Sequence, residues 1–188
     1  MSLKVFKKSL LDSKVIKKGD YHYIINPLTD GIPCVDPKLL NEVISEISLR
    51  VKKTGDFDKI VTLEAMGIHL ASVLSIKMNK PFTIIRKRQY DQPDEVSVEQ
   101  VTGYSKSRFF INGIIKGDRV IIIDDVLSTG GSLKAVLSAF KKIGVTVVGV
   151  FVAIDKGDAA LDIKQKYNVD VNVLVKIDVN KGRVLIKN

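Results

Sequence analysis

Between residues 59 and 173 the sequence alternates short apolar runs with segments whose apolar residues recur at three- and four-residue spacing. The first pattern is typical of buried strands and the second of amphipathic helices. Strands separated by helices form a parallel sheet with helices on both faces, because each parallel connection must cross over the sheet. We therefore predict an α/β fold, with strands at 59–63, 82–85, 120–123 and 145–154, and helices at 68–78 and 133–143.

The composition fits one ordinary domain and argues against several other classes. With 188 residues, 45% hydrophobic and 27% charged, the chain can bury a sizeable core and is expected to form a single domain. No apolar run reaches the roughly 18 residues of a spanning helix, and the N-terminus lacks a secretory signal, so we expect a cytoplasmic protein without membrane contact. The net charge of +9 suits an anionic ligand, but the basic residues are scattered, so nucleic acid is not an expected partner.

Segments outside this alternation are expected to cover a binding site. Residues 21–37 are rich in aromatic and turn-forming residues and predict a small irregular lobe, while Asp36 and Pro37 mark the start of a helix to about residue 52. We expect the two ends of the chain, about 1–37 and 155–188, to supply a hood over the site. Residues 89–107 have few apolar anchors, which predicts a loop or hairpin that acts as a lid.

The strongest chemical signal is the segment from Val120 to Ser132, an apolar strand that ends in two acids and is followed by a turn of small residues opening a helix. Backbone amides at a helix N-terminus form an anion site, and glycines let a phosphate approach them closely. Adjacent carboxylates would repel that phosphate, so they are expected to accept hydrogen bonds from sugar hydroxyls. The segment therefore predicts a sugar phosphate ligand; the alternative is a helix cap with solvated acids.

This segment, with two acids, an apolar pair and then Ser-Thr-Gly-Gly-Ser, resembles the phosphoribosyl-pyrophosphate signature of the type I phosphoribosyltransferases. The resemblance extends less sharply from Tyr21 to about Ile177, and is greatest to the archaeal hypoxanthine/guanine enzymes, which have a layout like that of adenine phosphoribosyltransferases. It implies the type I fold, with a small hood and a flexible loop, and it implies that Asp124 and Asp125 hold the ribose hydroxyls. The residues it assigns to the 5′-phosphate are Leu127, Ser128, Thr129, Gly130, Gly131 and Ser132.

A second junction between a strand and a helix offers amides for another anion site, at Glu64, Ala65, Met66 and Gly67. In the family that this chain resembles, the loop at this place holds pyrophosphate. The alternative is an ordinary turn in which Gly67 eases helix packing.

A basic segment beside the predicted lid, Arg86, Lys87 and Arg88, suits a ligand with several negative charges; the alternative is a solvated cluster. Related adenine enzymes carry a lysine in the stretch that reads Asp-Gln-Pro-Asp at 91–94 here. Either Arg88 or Lys106 is therefore expected to make the contact to pyrophosphate.

Base recognition is assigned to Lys156, which follows the last strand of the alternating region. A 6-oxopurine needs a donor at O6, whereas adenine needs an acceptor near its amino group. Lys156 resembles the lysine that donates to O6 in hypoxanthine/guanine enzymes; the alternative is a surface lysine in a turn. Tyr21 and Tyr23 are candidates to cover the base, and Asp155 or Asp158 is a candidate proton acceptor.

By resemblance, the reaction is displacement of pyrophosphate from ribose C1′ by hypoxanthine or guanine, giving IMP or GMP, with Mg²⁺ as cofactor. Such ions take few protein ligands, so we assign no residue as a direct metal ligand. Tyr104 stands in the flexible loop, whose closure is expected to exclude water. A homodimer is implied by the family. The alternatives are an adenine or xanthine phosphoribosyltransferase and, in another class, a non-catalytic regulator that senses phosphoribosyl pyrophosphate.

Overall fold

A computed structural model describes residues 3–19, 21–101, 106–180 and 182–187. Through the middle of the chain, helices and strands alternate as the sequence predicts. In chain order the elements are α1 (Lys4–Leu11), β1 (Lys14–Lys18), β2 (Tyr21–Ile25), α2 (Pro27–Asp30), α3 (Pro37–Val51), β3 (Lys59–Leu63), α4 (Gly67–Met78), β4 (Phe82–Ile85), β5 (Val96–Val101), β6 (Lys106–Ile111), β7 (Arg119–Leu127), α5 (Gly131–Ile143), β8 (Thr146–Asp155), α6 (Ala159–Tyr167), β9 (Val171–Asn180) and β10 (Arg183–Lys187).

The main sheet has six strands in the order β10-β9-β8-β7-β3-β4. Five of them are parallel, and β10 pairs antiparallel with β9 at one edge. The predicted α/β class is confirmed, and the last two strands, β9 and β10, complete one edge of the sheet. Because parallel strands end at the same edge, the carboxyl ends of β3, β7 and β8 meet there and bring their following loops together.

Consecutive apolar residues of the central strands face opposite sides of the sheet. Ile121 and Ile123 of β7 belong to a core shared with α1, α3 and α4, whereas Val120 and Ile122 belong to a core shared with α5 and α6. All four side chains are fully buried. This division explains why the strand is apolar at every position, since alternating side chains point to opposite faces and both faces are covered.

The central strand is longer than the sequence indicates. The predicted strand consisted of the apolar run to Ile123 and ended in the two acids, but β7 continues beyond Asp125 to Leu127. Its backbone stays paired with β8, with Asp124 opposite Val152. The prediction was wrong because hydropathy reports side chains, whereas a strand is continued by backbone pairing, which polar residues can also supply.

Two helix ends carry capping residues, and the pair at the start of α3, Asp36 and Pro37, was predicted. The Asp36 carboxylate accepts hydrogen bonds from the amides of Lys38 and Leu39 at 2.8 and 3.1 Å, and Pro37 occupies the first turn of α3. Gly144 ends α5 in the left-handed conformation, with φ of 85°. Both devices satisfy backbone groups that a helix end leaves unpaired.

The N-terminal segment is more regular than predicted. Instead of an irregular lobe, β1 and β2 form an antiparallel hairpin with Lys14 opposite Ile25, and the short helix α2 follows. The helix α1, which was not predicted, buries Phe6 and Leu10 in the same core as α3. Cross-strand pairing stabilises β1 and β2 even though their sequence lacks a clean apolar alternation.

The predicted lid region contains a hairpin. Strands β5 and β6 pair antiparallel, and Arg86 forms an isolated bridge with Phe110 that attaches β6 to the end of β4. Tyr104, expected to lie in the flexible loop, is outside the described residues. Within the described ranges, no helix combines the length and the hydrophobicity required to cross a bilayer.

Candidate active site

The two acids of β7 face different cavities. Asp124 lines a cavity of about 150 Å³ together with residues 126–133, whereas Asp125 lines a second cavity of about 190 Å³. The separation follows from the strand, because successive side chains point to opposite sides. Val126 borders both cavities, so the acid pair lies where they meet.

The first cavity, which we call the phosphate cavity, is formed by the predicted phosphate loop, residues 127–132. The loop joins β7 to α5, and Gly130 adopts a φ of 72°, which suits glycine because a Cβ is disfavoured in this region. A side chain at this position would also lie 3.0 Å from the Cβ of Ala159. Gly131, Ser132 and Leu133 of the first turn of α5 line this cavity, and the unpaired amides of a helix N-terminus are groups that bind anions.

The phosphate loop is supported by the turn that carries Lys156. The amide of Lys156 donates to the carbonyl of Leu127 at 2.8 Å. A Cβ on Gly157 would lie 3.0 Å from the carbonyl oxygen of Ser128, so glycine permits this close approach. The end of β8 therefore positions both the loop and the predicted base-recognition lysine.

The second cavity, which we call the base cavity, has apolar walls and a few polar groups. Its lining residues are Tyr23, Ile24, Thr29, Asp30, Asp125, Val126, Ile154, Lys156 and Ile177. The Lys156 ammonium donates a hydrogen bond to the backbone carbonyl of His22, which connects the β1–β2 hairpin to the end of β8. A mostly apolar cavity whose lining includes a cation and two carboxylates suits a flat heteroaromatic ring that carries hydrogen-bonding groups.

Burial raises the pKa of both acids in β7. For Asp124 burial is the largest cause, and the negative charge of Asp125 raises its pKa further, well above the ordinary 3.8. For Asp125 burial again comes first; a hydrogen bond with the Asp124 side chain and backbone hydrogen bonds oppose the rise in pKa, and the charge of Asp30 adds to it. The site therefore holds two carboxyl groups whose negative charge is poorly compensated by the protein alone.

These raised pKa values predict a pH-dependent stability cost. Between the ordinary pKa of 3.8 and the raised folded values, the folded protein binds more protons than the unfolded chain, so its unfolding free energy falls as pH increases. Replacing Asp125 with asparagine removes one such group. Urea unfolding gives the difference in unfolding free energy between Asp125→Asn and the unmodified protein. This difference in favour of the variant should be smallest near pH 4 and increase towards pH 8. A difference that shrinks as pH rises would contradict the raised pKa of Asp125.

The predicted pyrophosphate loop lies beside the acids. Residues 64–66 connect β3 to α4, with a cis peptide bond between Glu64 and Ala65. A Cβ on Gly67 would collide with Thr62 Oγ1 and lie 2.9 Å from Asp124 Oδ1. Gly67 thus lets the start of α4 approach the acid pair, so the loop and Asp124 share one corner of the site.

Glu64 links the pyrophosphate loop to the basic segment. Its carboxylate accepts hydrogen bonds from Arg86 Nε at 2.5 Å and from the Lys87 amide at 2.8 Å. The guanidinium groups of Arg86 and Arg88 lie 5.9 and 5.6 Å from the ring centre of Tyr90. The Arg86 side chain and the Lys87 amide therefore attach this segment to the loop at 64–67, whereas the exposed Arg88 side chain lies over Tyr90.

The two acids after β8 differ in their surroundings. Asp155 is 3% exposed, burial raises its pKa, and it accepts a hydrogen bond from the Gly157 amide at 3.1 Å. Asp158 is exposed and pairs with Lys176 at 2.8 Å, which lowers its pKa. Neither Asp155 nor Asp158 is among the described residues that line the base cavity. Their role as proton acceptor stays a prediction.

Sequence reasoning did not single out Asp30 or Tyr90. The signal for a capped turn was present at Asn26, Pro27 and Gly31, because these residues start and end α2. Nothing in the local pattern placed Asp30 in a cavity with Asp125 and Lys156, since that contact depends on how the hairpin packs on the sheet.

The fold and the site together indicate the protein family to which the chain belongs. The family model for the phosphoribosyl transferase domain matches residues 37–182, a range that contains β3 to β9 and both predicted phosphate-binding loops. The chain therefore belongs to the phosphoribosyltransferase family, which confirms the resemblance seen in the sequence.

Within this family, the chain is similar over nearly its whole length to archaeal enzymes with a named base specificity. The chain is 50% identical over 182 residues to the hypoxanthine/guanine phosphoribosyltransferase of Methanothermobacter thermautotrophicus, covering 97% of this chain and 93% of the relative. It is 44% identical over 185 residues to the enzyme of the same name from Methanocaldococcus jannaschii, covering 97% and 99%. Among solved structures, the adenine phosphoribosyltransferase of Saccharomyces cerevisiae matches with a TM-score of 0.74 at 21% identity, covering 92% of this chain and 97% of that one; this likeness concerns the fold alone.

Proposed function

We propose that this chain is a purine salvage enzyme that transfers the 5-phosphoribosyl group of phosphoribosyl pyrophosphate to hypoxanthine or guanine, giving IMP or GMP and pyrophosphate. The observation that carries the proposal is the acid pair at the junction of the phosphate cavity and the base cavity. A ribose held there would have its 5′-phosphate on one side and its C1′ directed to a base on the other. The names of the archaeal relatives support the choice of 6-oxopurines.

Each part of the site has a task in this reaction. The loop from Leu127 to Ser132 would hold the 5′-phosphate, and Asp124 and Asp125 would accept hydrogen bonds from the ribose hydroxyls. The amides at 64–67, with the neighbouring basic segment, would stabilise the charge that develops on the departing pyrophosphate. Lys156 would donate to O6 of the base. Catalysis then comes from orientation and electrostatic stabilisation, without a covalent intermediate on the protein.

The acid pair also fits the Mg²⁺ that the family implies. Two adjacent carboxyl groups with pKa values raised by burial are a donor set that a nearby divalent cation would stabilise in the charged form. Mg²⁺ keeps several water ligands and takes few from protein, and the described ranges contain no group of three or more acids, histidines or cysteines arranged for a metal. When bound, the ion would neutralise charge on the pyrophosphate beside Asp124 and Asp125.

We also propose that the chain forms a single domain, with hood elements at about 1–37 and 155–188, and works as a cytoplasmic homodimer. Tyr104 would close over the bound pyrophosphate as part of the flexible loop. Sedimentation equilibrium tests the dimer directly.

The test of the proposed function is release of pyrophosphate from phosphoribosyl pyrophosphate with Mg²⁺, with hypoxanthine, guanine, adenine and xanthine supplied separately. Turnover with hypoxanthine and guanine is the expected result. Turnover with adenine alone, or with xanthine alone, would show that this base is the substrate in place of hypoxanthine and guanine. Tight binding of phosphoribosyl pyrophosphate without turnover of any base would indicate the regulatory alternative.

The bridge from Glu64 to the basic segment yields a further prediction. Glu64→Gln weakens a charged hydrogen bond to Arg86 and should raise the KM for phosphoribosyl pyrophosphate about 3- to 10-fold, as the loss of roughly 1 kcal/mol implies, with a smaller effect on kcat. The matched control is Glu46→Gln, which removes a similar pair with Arg50 on α3. Steady-state kinetics with varied phosphoribosyl pyrophosphate checks this; equal KM values in both variants would argue against a positioning role for Glu64.

A further inference from the structure

We infer that Asp30 is a specificity-determining residue that accepts hydrogen bonds from N1–H and the 2-amino group of a bound 6-oxopurine. The inference rests on the proposed function and assigns a role to a residue outside the sequence-predicted site. It starts from the base cavity, which Asp30 lines together with Lys156 and Asp125. Because Asp125 is assigned to the ribose, Asp30 is the carboxylate left to face the base.

The Asp30 carboxylate is held in place by its own short helix. The hydrogen bonds that the structure describes at this carboxylate both end on Oδ2, from the Asn26 amide at 2.9 Å and from Thr29 Oγ1 at 2.6 Å. Asn26 is fully buried, and its side chain caps α2 through the Leu28 amide at 2.9 Å. One carboxylate oxygen is thus anchored by the backbone of the turn, which fixes the orientation of the other.

The anchored turn lies against the rest of the site. Gly31 ends α2 with φ of 69°, and a Cβ there would be 3.9 Å from the terminal methyl of Met66 in the pyrophosphate loop. The negative charge of Asp30 also contributes to the raised pKa of Asp125, as expected for two acids that face one cavity. Asp30 therefore lines the same cavity as Asp125, and its turn lies near the pyrophosphate loop.

The two ends of the base cavity match the two kinds of group on a 6-oxopurine. Lys156 offers donors, which suit O6, and Asp30 offers an acceptor, which suits N1–H and, in guanine, the 2-amino group. Adenine presents an unprotonated N1, which would leave Asp30 without a donor in a site that binding has closed to water. Xanthine keeps N1–H but presents a carbonyl at position 2, so it would place a lone pair against the carboxylate where guanine places its 2-amino group.

Guanine and hypoxanthine provide the sharpest test, because they differ only in the 2-amino group. In Asp30→Asn the amide oxygen can keep the bonds to Asn26 and Thr29, while an NH₂ group replaces Oδ1, the acceptor that we assign to the base. We expect kcat/KM for guanine to fall about 10- to 100-fold, as for loss of hydrogen bonds to a charged group, and the guanine-to-hypoxanthine ratio to fall at least about 5-fold. The KM for phosphoribosyl pyrophosphate should stay within about twofold, on the same argument that the change is confined to base contacts.

The matched control is Asp12→Asn, which removes an exposed acid of the same N-terminal segment that does not line the base cavity, among the residues described. This control should leave kcat/KM for guanine and the guanine-to-hypoxanthine ratio unchanged. Thermal unfolding of Asp30→Ala checks that the turn tolerates loss of the side chain. An unchanged guanine-to-hypoxanthine ratio in Asp30→Asn, or equal losses for both bases with a raised KM for phosphoribosyl pyrophosphate, would overturn the role of Asp30. If the unmodified protein converts neither 6-oxopurine, the proposed function itself has failed, and the inference fails with it.

Discussion

Replacing Asp125 with alanine should lower kcat/KM for both 6-oxopurines by about 10³-fold or more, the scale on which loss of a key electrostatic contact acts in other active sites. The reason is its place at the junction of the two cavities, where it would orient the ribose between phosphate and base. The fold should persist, because the β7–β8 backbone pairing on both sides of this residue does not use its side chain.

The measurement is steady-state pyrophosphate release, accompanied by thermal unfolding at pH 8. Unfolding should occur at an equal or higher temperature than in the unmodified protein, since removal of a buried carboxylate removes a charge that burial disfavours. Asp178→Ala is the control, because Asp178 is a half-exposed acid that pairs with Lys187 at 3.1 Å on the β9–β10 edge. Turnover of Asp125→Ala within tenfold of that control would remove Asp125 from the ribose site.

Gly67→Ala should have the second largest effect, and it should act on stability and activity together. The added Cβ would collide with Thr62 Oγ1 and lie 2.9 Å from Asp124 Oδ1 and 3.3 Å from the Ile123 carbonyl. Thr62 is fully buried and part of a paired strand, so it cannot move away cheaply. Overpacking of this kind costs about 1–3 kcal/mol, and displacement of α4 would also move the pyrophosphate loop away from the acid pair.

Urea unfolding and pyrophosphate release measured on the same samples test this prediction. The double variant Thr62→Ala/Gly67→Ala removes the atom with the worst overlap and should regain part of the lost stability, with Thr62→Ala alone as the reference. Because Thr62 and Gly67 are in contact, their effects should be non-additive. A Gly67→Ala protein that unfolds at the same denaturant concentration as the parent would show that α4 does not need this close approach.

Several parts of the fold were predictable because the signal is local. The strands at 59–63 and 82–85 match β3 and β4 at both ends, since each is a short, largely apolar run bounded by polar residues or proline. The start of α3 follows from Asp36 and Pro37, whose capping chemistry needs no tertiary partner. The phosphate loop was recognisable for the same reason, because strand, acids, small residues and helix are contiguous.

Other parts were not predictable, or were missed. Leu3, Phe6 and Leu10 recur at helical spacing, so the sequence does contain the signal for α1, although the element is short. The extension of β7 to Leu127 depends on the backbone of β8, and the hairpin of β1 and β2 depends on cross-strand pairing. In these cases the stabilising partner lies elsewhere in the chain and leaves no periodic pattern in the segment itself.

By itself, the sequence determined the α/β class, the loop at 127–132 and the acid pair, because each depends on residue types at fixed spacing along one stretch. Only the tertiary structure decided which groups share a cavity: it separated Asp124 from Asp125, joined Glu64 to Arg86, and brought Asp30 to the cavity of Lys156. The physical reason is that parallel strands gather their loops at one edge through crossover connections. Which side chains then meet is set by packing on the sheet and not by their distance in sequence.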